Sequence, residues 1–73
     1  MAELVTVDAR GLACPQPALM ARQALDKLSG GTVEVLVDSG TSRDNVARVA
    51  ERAGWRVTVE AQPGGSFRLL LQR

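Results

Sequence analysis

The segment Thr32-Val33-Glu34-Val35-Leu36-Val37-Asp38 carries the clearest secondary-structure signal in this 73-residue sequence. Its three valines occupy every second position, and Thr32, Glu34 and Leu36 lie between them. Strict alternation of this kind is typical of a β-strand that buries one face. A Ser-Gly pair follows and turns the chain. The segment therefore predicts a strand whose valines pack against a second layer.

Upstream of this strand, the sequence predicts a short strand and then a helix. Leu4 to Asp8 alternates in the same way and forms the first strand. A helix is expected from about Pro15 to Leu28, ended by Ser29-Gly30-Gly31. Its buried stripe recurs at three- and four-residue spacing and consists of Ala18, Ala21, Leu25 and Leu28.

Downstream, a second helix is expected to be capped by Thr41 or Ser42 and stopped by Gly54. Asp44 and Arg48 are spaced to pair on its outer side. The predicted buried stripe is Val46, Val49, Ala50 and Ala53. A third strand then starts at Trp55, where the side chain is expected in the core. After the turn at 63–66, a fourth strand at 67–72 returns as a hairpin.

This order, β-α-β-α-β-β, predicts the α+β class: a two-layer α/β sandwich that forms one domain over residues 1–73. Right-handed β-α-β crossovers place both helices on one face of a four-stranded mixed sheet. The other face mixes apolar and polar side chains and is expected to be largely solvated, with a possible role in docking. It carries Leu4, Thr6, Glu34, Leu36, Arg56, Thr58, Arg68 and Leu70.

Composition excludes several classes of function. The net charge is +1, from nine basic and eight acidic residues, so no strong field draws the protein to nucleic acid or to a membrane. The start of the sequence lacks the pattern of a signal peptide, and no apolar run approaches the ~20 residues of a membrane span. We therefore expect a cytoplasmic protein without a membrane partner.

Cys14 is the only cysteine, and the sequence contains no histidine. One cysteine cannot form an internal disulfide, a CxxC redox pair or a cysteine-rich zinc site. A Cys-His catalytic pair within the chain is excluded as well. We accordingly expect no metal and no cofactor.

The position of Cys14 favours chemistry at the thiol. It lies where a loop containing Gly11 meets the first helix, and Pro15 and Pro17 follow it. A helix N-terminus favours the thiolate, which is the nucleophilic form. With Cys14 as the cap, however, the prolines take the first and third helical positions and leave only the N–H of Gln16 among the first three donors.

The prolines contribute rigidity, so the thiol should be presented in a fixed direction. Arg10 could supply positive charge and Asp8 would oppose it, and on balance a modestly lowered pKa is predicted for the thiol. A lone cysteine is, however, also a common small buried hydrophobe. The residues alone leave both interpretations open. A weaker candidate is the turn formed by Asp38 and residues 41–44, which could bind an anion, line a site beside Cys14, or simply cap the second helix.

The stretch Val7-Asp8-Ala9-Arg10-Gly11-Leu12-Ala13-Cys14-Pro15-Gln16-Pro17 closely resembles the N-terminal signature of the TusA/SirA-like sulfur-carrier family, D-x-R/L-G-L-x-C-P-x-P. Residues 37–46 and Ala53-Gly54-Trp55 look like the YedF-like branch in particular. The resemblance spans essentially the whole chain. It implies the same two-layer fold and a cysteine in the CPxP motif that carries sulfane sulfur as a persulfide.

Carried onto this sequence, the resemblance makes Cys14 the persulfide carrier and Pro15 and Pro17 its frame. The supporting loop comprises Asp8, Arg10, Gly11 and Leu12. The resemblance also implies a sulfur donor, either a cysteine desulfurase or a rhodanese-like protein, and an acceptor that is DsrE-like or of another kind. Such a protein is a sulfurtransferase-type carrier that acts with partner enzymes rather than alone. The pathway stays open, although Ala13 and Gln16 differ from the Arg and Glu of carriers for tRNA thiolation.

Other functions compete with this one. The main alternative is a non-catalytic regulatory or protein-interaction module, with a link to selenium metabolism through the YedF-like branch. RNA binding is suggested by fold analogy alone, and the balanced charge and scarce aromatic residues argue against it. A thiol redox sensor that forms an intermolecular disulfide is a further option. Either a monomer or a weak dimer is compatible with the sequence.

Overall fold

The computed structural model describes residues 4–13 and 15–73. The elements follow the predicted order β-α-β-α-β-β, and the fold is α+β as expected. They are β1 (Leu4–Asp8), α1 (Gln16–Asp26), β2 (Thr32–Val37), α2 (Gly40–Arg52), β3 (Arg56–Ala61) and β4 (Phe67–Gln72).

The four strands form one mixed sheet in the order β1-β2-β4-β3. β1 runs parallel to β2, whereas β4 is antiparallel to both β2 and β3. The predicted hairpin of β3 and β4 is confirmed. Because β4 inserts between β2 and β3, both edges of the sheet are strands that lie next to a single neighbour.

The core lies between the sheet and the two helices. Val33, Val35 and Val37 are fully buried, as the alternation predicted. Leu69 and Leu71 of β4 share their face and are also fully buried. Both helices contribute to this one cluster, α1 through Ala21 and Leu25 and α2 through Val46 and Ala50. Both helices therefore cover the same face of the sheet.

Helix α1 is shorter than predicted at both ends. Pro15 has φ −101° and ψ 18°, outside the helical region, so the helix begins at Gln16 rather than at Pro15. Lys27 caps the other end, which leaves Leu28 beyond the helix although it packs against the core. Pro17, not the predicted Ala18, is the buried residue of the first turn.

Helix α2 is capped by Ser39, so the prediction of Thr41 or Ser42 was wrong. Ser39 is extended, and its hydroxyl oxygen accepts a hydrogen bond from the N–H of Ser42 at 3.1 Å. Ser42 lies inside the helix and is buried. The helix starts earlier than expected because β2 ends at Val37 and leaves room for only a two-residue turn.

The outer pairing on α2 also differs from the prediction. Asp44 forms an ion pair with the adjacent Arg43 at 2.9 Å rather than with Arg48. Arg48 instead donates a hydrogen bond to the side-chain oxygen of Asn45 at 3.3 Å. The carboxylate of Asp44 thus pairs with Arg43 and not with Arg48, the partner that helical spacing predicts.

The end of α2 carries Trp55 into the core. Gly54 has φ +87°, and its N–H donates to the carbonyl oxygen of Glu51 at 3.0 Å. The N–H of Trp55 donates to the carbonyl oxygen of Ala50 at 2.9 Å, which completes a Schellman motif. Trp55 is 4% exposed, in agreement with its predicted core position, and β3 starts one residue later than predicted.

A polar row crosses the open face of the sheet. The hydroxyl of Thr6 donates to Glu34 Oε1 at 3.1 Å, and Arg68 Nε donates to Glu34 Oε2. Arg68 Nη1 donates to Glu60 Oε1 at 2.9 Å, so the row links all four strands. These contacts lower the pKa of Glu34, chiefly through the bond from Arg68. Charge-assisted hydrogen bonds therefore connect the four strands across the open face of the sheet.

Candidate functional site: the loop before the first helix

The first residue of the loop that leads from β1 to α1 is held by a backbone hydrogen bond to β2. Ala9 is fully buried, and its N–H donates to the carbonyl oxygen of Leu36 at 2.8 Å. This bond continues the pairing of β1 with β2 one residue past the end of β1. The chain therefore leaves the sheet at a fixed point beside the end of β2.

A second bond fixes the middle of the loop. Gly11 has φ +80°, and its N–H donates to Asp38 Oδ2 at 2.7 Å. Among the described residues other than its two chain neighbours, no atom lies within 4 Å of the place where a Cβ on Gly11 would be, so the backbone conformation is what favours glycine here. Asp38, which the sequence placed in a turn near Cys14, reaches this loop through the Gly11 amide.

Arg10 and Asp8 form a two-point ion pair at the edge of the loop. Arg10 Nε lies 2.9 Å from Asp8 Oδ1, and Nη2 lies 2.8 Å from Oδ2. The backbone N–H of Arg10 also donates to Asp8 Oδ1, at 3.2 Å. The hydrogen bond from the Arg10 side chain is the main reason why the pKa of Asp8 falls to about 2. The same contact raises the pKa of Arg10.

This pairing changes the electrostatic part of the sequence argument. Arg10 was considered as a positive charge that could stabilise a thiolate, with Asp8 as a possible opponent. Since Asp8 holds the Arg10 guanidinium at two atoms, its negative charge offsets the arginine at short range. The lowered pKa of the thiol stays a prediction, and the Arg10 charge gives it little support.

The start of α1 also differs from the prediction. Pro15 is the cap residue, so Gln16 and Pro17 occupy the first and second helical positions rather than the second and third. The N–H of Gln16 donates to the carbonyl oxygen of Ala13 at 2.9 Å. The one early donor that the sequence left for an anion is thus already used.

The two prolines have different environments. Pro15 is exposed, and its carbonyl oxygen accepts a bond from the N–H of Leu19 at 3.1 Å. Pro17 is fully buried against the core. Pro17 therefore anchors the first turn to the body of the protein, while Pro15 lies at the surface with a fixed φ.

Cys14 itself lies outside the described residues, and its predicted role and pKa stay predictions. Its neighbours along the chain are exposed on both sides: Leu12 (39%) and Ala13 before it, Pro15 and Gln16 after it. The structure brings the predicted supporting residues Asp8, Arg10, Gly11 and Leu12 into one loop and joins it to Pro15 and Pro17.

Sequence reasoning missed the contact between Arg43 and Phe67. The Arg43 guanidinium carbon lies 4.6 Å from the centroid of the Phe67 ring, and the same group pairs with Asp44. Arg43 belongs to the turn that was considered as an anion site, but its charge is engaged by these two neighbours. The signal available in the sequence was the position of Phe67 at the start of the fourth strand. Phe67 pairs with Val37 at the end of β2, and its ring therefore lies beside the start of α2.

A metal site and a membrane-spanning helix each have structural requirements against which the described residues can be compared. Among residues 4–13 and 15–73, no three acidic side chains come together in a way that could hold a metal ion. Neither helix in this part of the chain has the length and apolar character that crossing a bilayer requires. A groove of about 530 Å³ lies at the opposite end of the sheet, lined by Gly31, Thr32, Gly54, Arg56, Gln72 and Arg73. At the candidate site, Leu12, Ala13, Pro15 and Gln16 are exposed.

Comparison with known proteins gives a consistent result. The profile of the family described as Sulfurtransferase TusA matches residues 5–73. The chain is 33% identical over 69 residues to the sulfur carrier protein TusA of Allochromatium vinosum, covering 92% of this chain and 90% of that protein. It is 31% identical over 68 residues to a protein of Methanocaldococcus jannaschii provisionally named as a sulfur carrier, covering 92% and 91%.

A solved structure agrees with these sequence relatives. The crystal structure of a SirA-like protein from Desulfitobacterium hafniense superimposes with a TM-score of 0.89 at 36% identity, covering 93% of this chain and 95% of that one. The match covers nearly the whole length of both chains, so the likeness is not limited to the sheet. By sequence and by structure, this chain belongs to the TusA sulfurtransferase family.

Proposed function

We propose that this protein is a sulfur carrier that holds sulfane sulfur as a persulfide on Cys14 and passes it to an acceptor protein. The observation that supports it most directly is the form of the loop around Cys14. The chain is tied to the protein body through Ala9, Gly11 and Pro17, yet the residues on both sides of Cys14 are exposed. A fixed and exposed loop suits a residue that must enter the active sites of other proteins.

The transfer needs only one nucleophile. The Cys14 thiolate attacks the outer sulfur of a donor Cys–S–SH, the S–S bond of the donor breaks, and the donor cysteine leaves as a thiolate. The S–S bond formed at Cys14 replaces the one broken in the donor, so no external oxidant or reductant is consumed, and the proton of the persulfide stays on the transferred sulfur. The lack of a second cysteine fits this chemistry, because an internal thiol would discharge the persulfide as a disulfide.

The decisive experiment is mass spectrometry of the intact protein after incubation with a cysteine desulfurase and L-cysteine. We expect a gain of one sulfur atom, ~32 Da, that dithiothreitol removes. Cys14→Ser is the matched control, since the hydroxyl is nearly isosteric and cannot form a persulfide. An unmodified wild-type mass with a desulfurase and also with a rhodanese-like donor would contradict the proposal.

Partners and location follow from the same proposal. A carrier of this type requires a donor protein and an acceptor protein, and a cysteine desulfurase or rhodanese-like donor with a DsrE-like acceptor is the pairing to test first. We place the protein in the cytoplasm, where a reducing environment keeps a lone thiol available. We treat residues 1–73 as one domain, and the YedF-like branch stays a prediction.

A further inference from the structure

Strand β3 forms an edge of the sheet that lacks the usual protection. It pairs only with β4, through six consecutive residue pairs without a bulge. The strand contains neither proline nor lysine, the residues that commonly block such edges. Val59 lies on the helix side of the sheet and is still 44% exposed. An edge of this kind can accept another strand.

The hydrogen bonding of the hairpin shows which backbone groups of β3 face outward. The N–H of Gln62 donates to the carbonyl oxygen of Ser66 at 2.9 Å, one pair beyond the last paired residues of β3 and β4. Hydrogen-bonded and non-hydrogen-bonded pairs alternate in an antiparallel ladder. Arg56, Thr58 and Glu60 therefore direct their backbone groups toward β4. The backbone N–H and C=O groups of Val57 and Val59 point away from β4, toward the open edge of the sheet.

We propose that β3 pairs with β3 of a second copy of this chain, antiparallel and about a two-fold axis that passes beside Thr58. In this register the outward-facing Val57 lies opposite Val59 of the second copy, so both strands can exchange backbone hydrogen bonds. Arg56 lies opposite Glu60 of the second copy, and the symmetry creates this pair twice. The two sheets then join into one of eight strands.

Charge complementarity selects this register among those that the ladder allows. An axis at Arg56 would place arginine against arginine, and an axis at Glu60 would place glutamate against glutamate. An axis at Val57 or Val59 would leave both charges opposite neutral residues. Only the axis at Thr58 sets opposite charges against each other, and opposite-charge cross-strand pairs are favourable.

The side chains concerned are available for such pairs. Within residues 4–13 and 15–73, Arg56 takes part in no ion pair, and it is exposed. Glu60 accepts a bond from Arg68 at Oε1, which leaves Oε2 for the second copy. The added arginine would extend the polar row that already links Glu34, Arg68 and Glu60.

The other edge of the sheet does not show this match. β1 is one residue shorter, and self-pairing about its central Thr6 would set Leu4 against Asp8. Asp8 is moreover held by Arg10 within its own chain. The complementary arrangement of charges is therefore found at the β3 edge and not at the β1 edge.

The size of the contact predicts a weak dimer. A single strand pair without covering helices falls below the area that stable dimers bury, so association should depend on concentration. β3 lies three strands from β1, or about 15 Å across the sheet, so pairing leaves the loop before α1 free. The inference does not depend on the sulfur-carrier proposal.

Disulfide trapping tests the register. Thr58 would face Thr58 of the second copy in a non-hydrogen-bonded pair with Cα atoms about 4.5 Å apart, which a disulfide can bridge. We expect Thr58→Cys in a Cys14→Ser background to form a covalent dimer rapidly under mild oxidant. Thr6→Cys in the same background is the matched control, a threonine at the centre of the opposite edge strand. Equal rates for the two variants would overturn the proposal.

Sedimentation equilibrium tests the charge pairs in an unmodified interface. Arg56→Glu sets glutamate against Glu60 twice, and we expect dimerisation to weaken about tenfold or more. Arg52→Glu makes the same charge change at an exposed site on α2 and should leave the dimer constant unchanged. A wild-type protein that stays monomeric at millimolar concentration contradicts the proposal. The proposal is also contradicted if the NMR amide signals of β3 shift only when a different protein is added, because β3 would then pair with a strand of that protein.

Discussion

Replacing Gly11 by alanine distinguishes the effect of the conformation of the loop between β1 and α1 on sulfur loading from the effect of fold stability. Gly11 has φ +80°, and beyond its chain neighbours an added methyl group would meet no atom of the described residues within 4 Å. The cost is therefore the backbone penalty of a left-handed residue with a side chain, roughly 1–2 kcal/mol, without a steric term. For a domain of this size, each 1 kcal/mol corresponds to a shift in Tm of about 4–8 °C.

The matched control is Gly64→Ala. Gly64 has φ +86°, and a Cβ there would also meet nothing within 4 Å, so the same penalty applies in the turn between β3 and β4. Both variants should lose similar stability in thermal unfolding followed by circular dichroism. Only Gly11→Ala should slow sulfur loading of Cys14, measured by mass spectrometry against time, since it relaxes toward a loop path that weakens the bond to Asp38. If Gly11→Ala loads at the wild-type rate despite the expected loss of stability, the loop does not position the thiol.

Three further changes test the surrounding structure. The carboxyl of Asp8 has its pKa lowered from 3.8 to about 2, so its contribution to stability is complete above about pH 4 and is lost as the pH falls toward 2. An NMR titration should show the pKa rise toward the ordinary range in Arg10→Gln, which removes the side-chain bond but keeps the backbone bond of residue 10. Arg68→Ala breaks two ion pairs on the open face and should lower the midpoint of urea unfolding more than Arg22→Ala, which breaks one exposed helical pair with Asp26. Leu69→Ala empties a fully buried site and should cost about 2–5 kcal/mol; a loss below about 1 kcal/mol would show that the core collapses around it.

The fold was predictable because alternation and helical spacing act over many residues. The valines of β2 and the apolar stripes of both helices define which faces must meet, and that leaves few topologies for a chain of this length. Boundaries were less predictable because they depend on single residues. Pro15 adopts a conformation outside the helical region, and Ser39 takes the cap that Thr41 or Ser42 could equally have supplied.

For the candidate site, the sequence predicted which residues it contains but not the contacts between them. The sequence placed Asp8, Arg10, Gly11 and Leu12 together because they are adjacent in the chain. It could not show that Asp8 would hold Arg10 at two atoms, since that contact depends on the path of the loop. The bond from Gly11 to Asp38 joins residues 27 positions apart and required the parallel pairing of β1 with β2.

The ion pair between Arg10 and Asp8 has a consequence for how other proteins recognise the loop. A partner that approaches it meets two opposite charges at the same place, so these side chains exert almost no attraction or repulsion at long range. Ionic strength should then have little influence on what this pair contributes to encounter with a partner. Discrimination between partners falls to close contact with the exposed Leu12 and Pro15, where shape and apolar area decide which active site can admit the carrier.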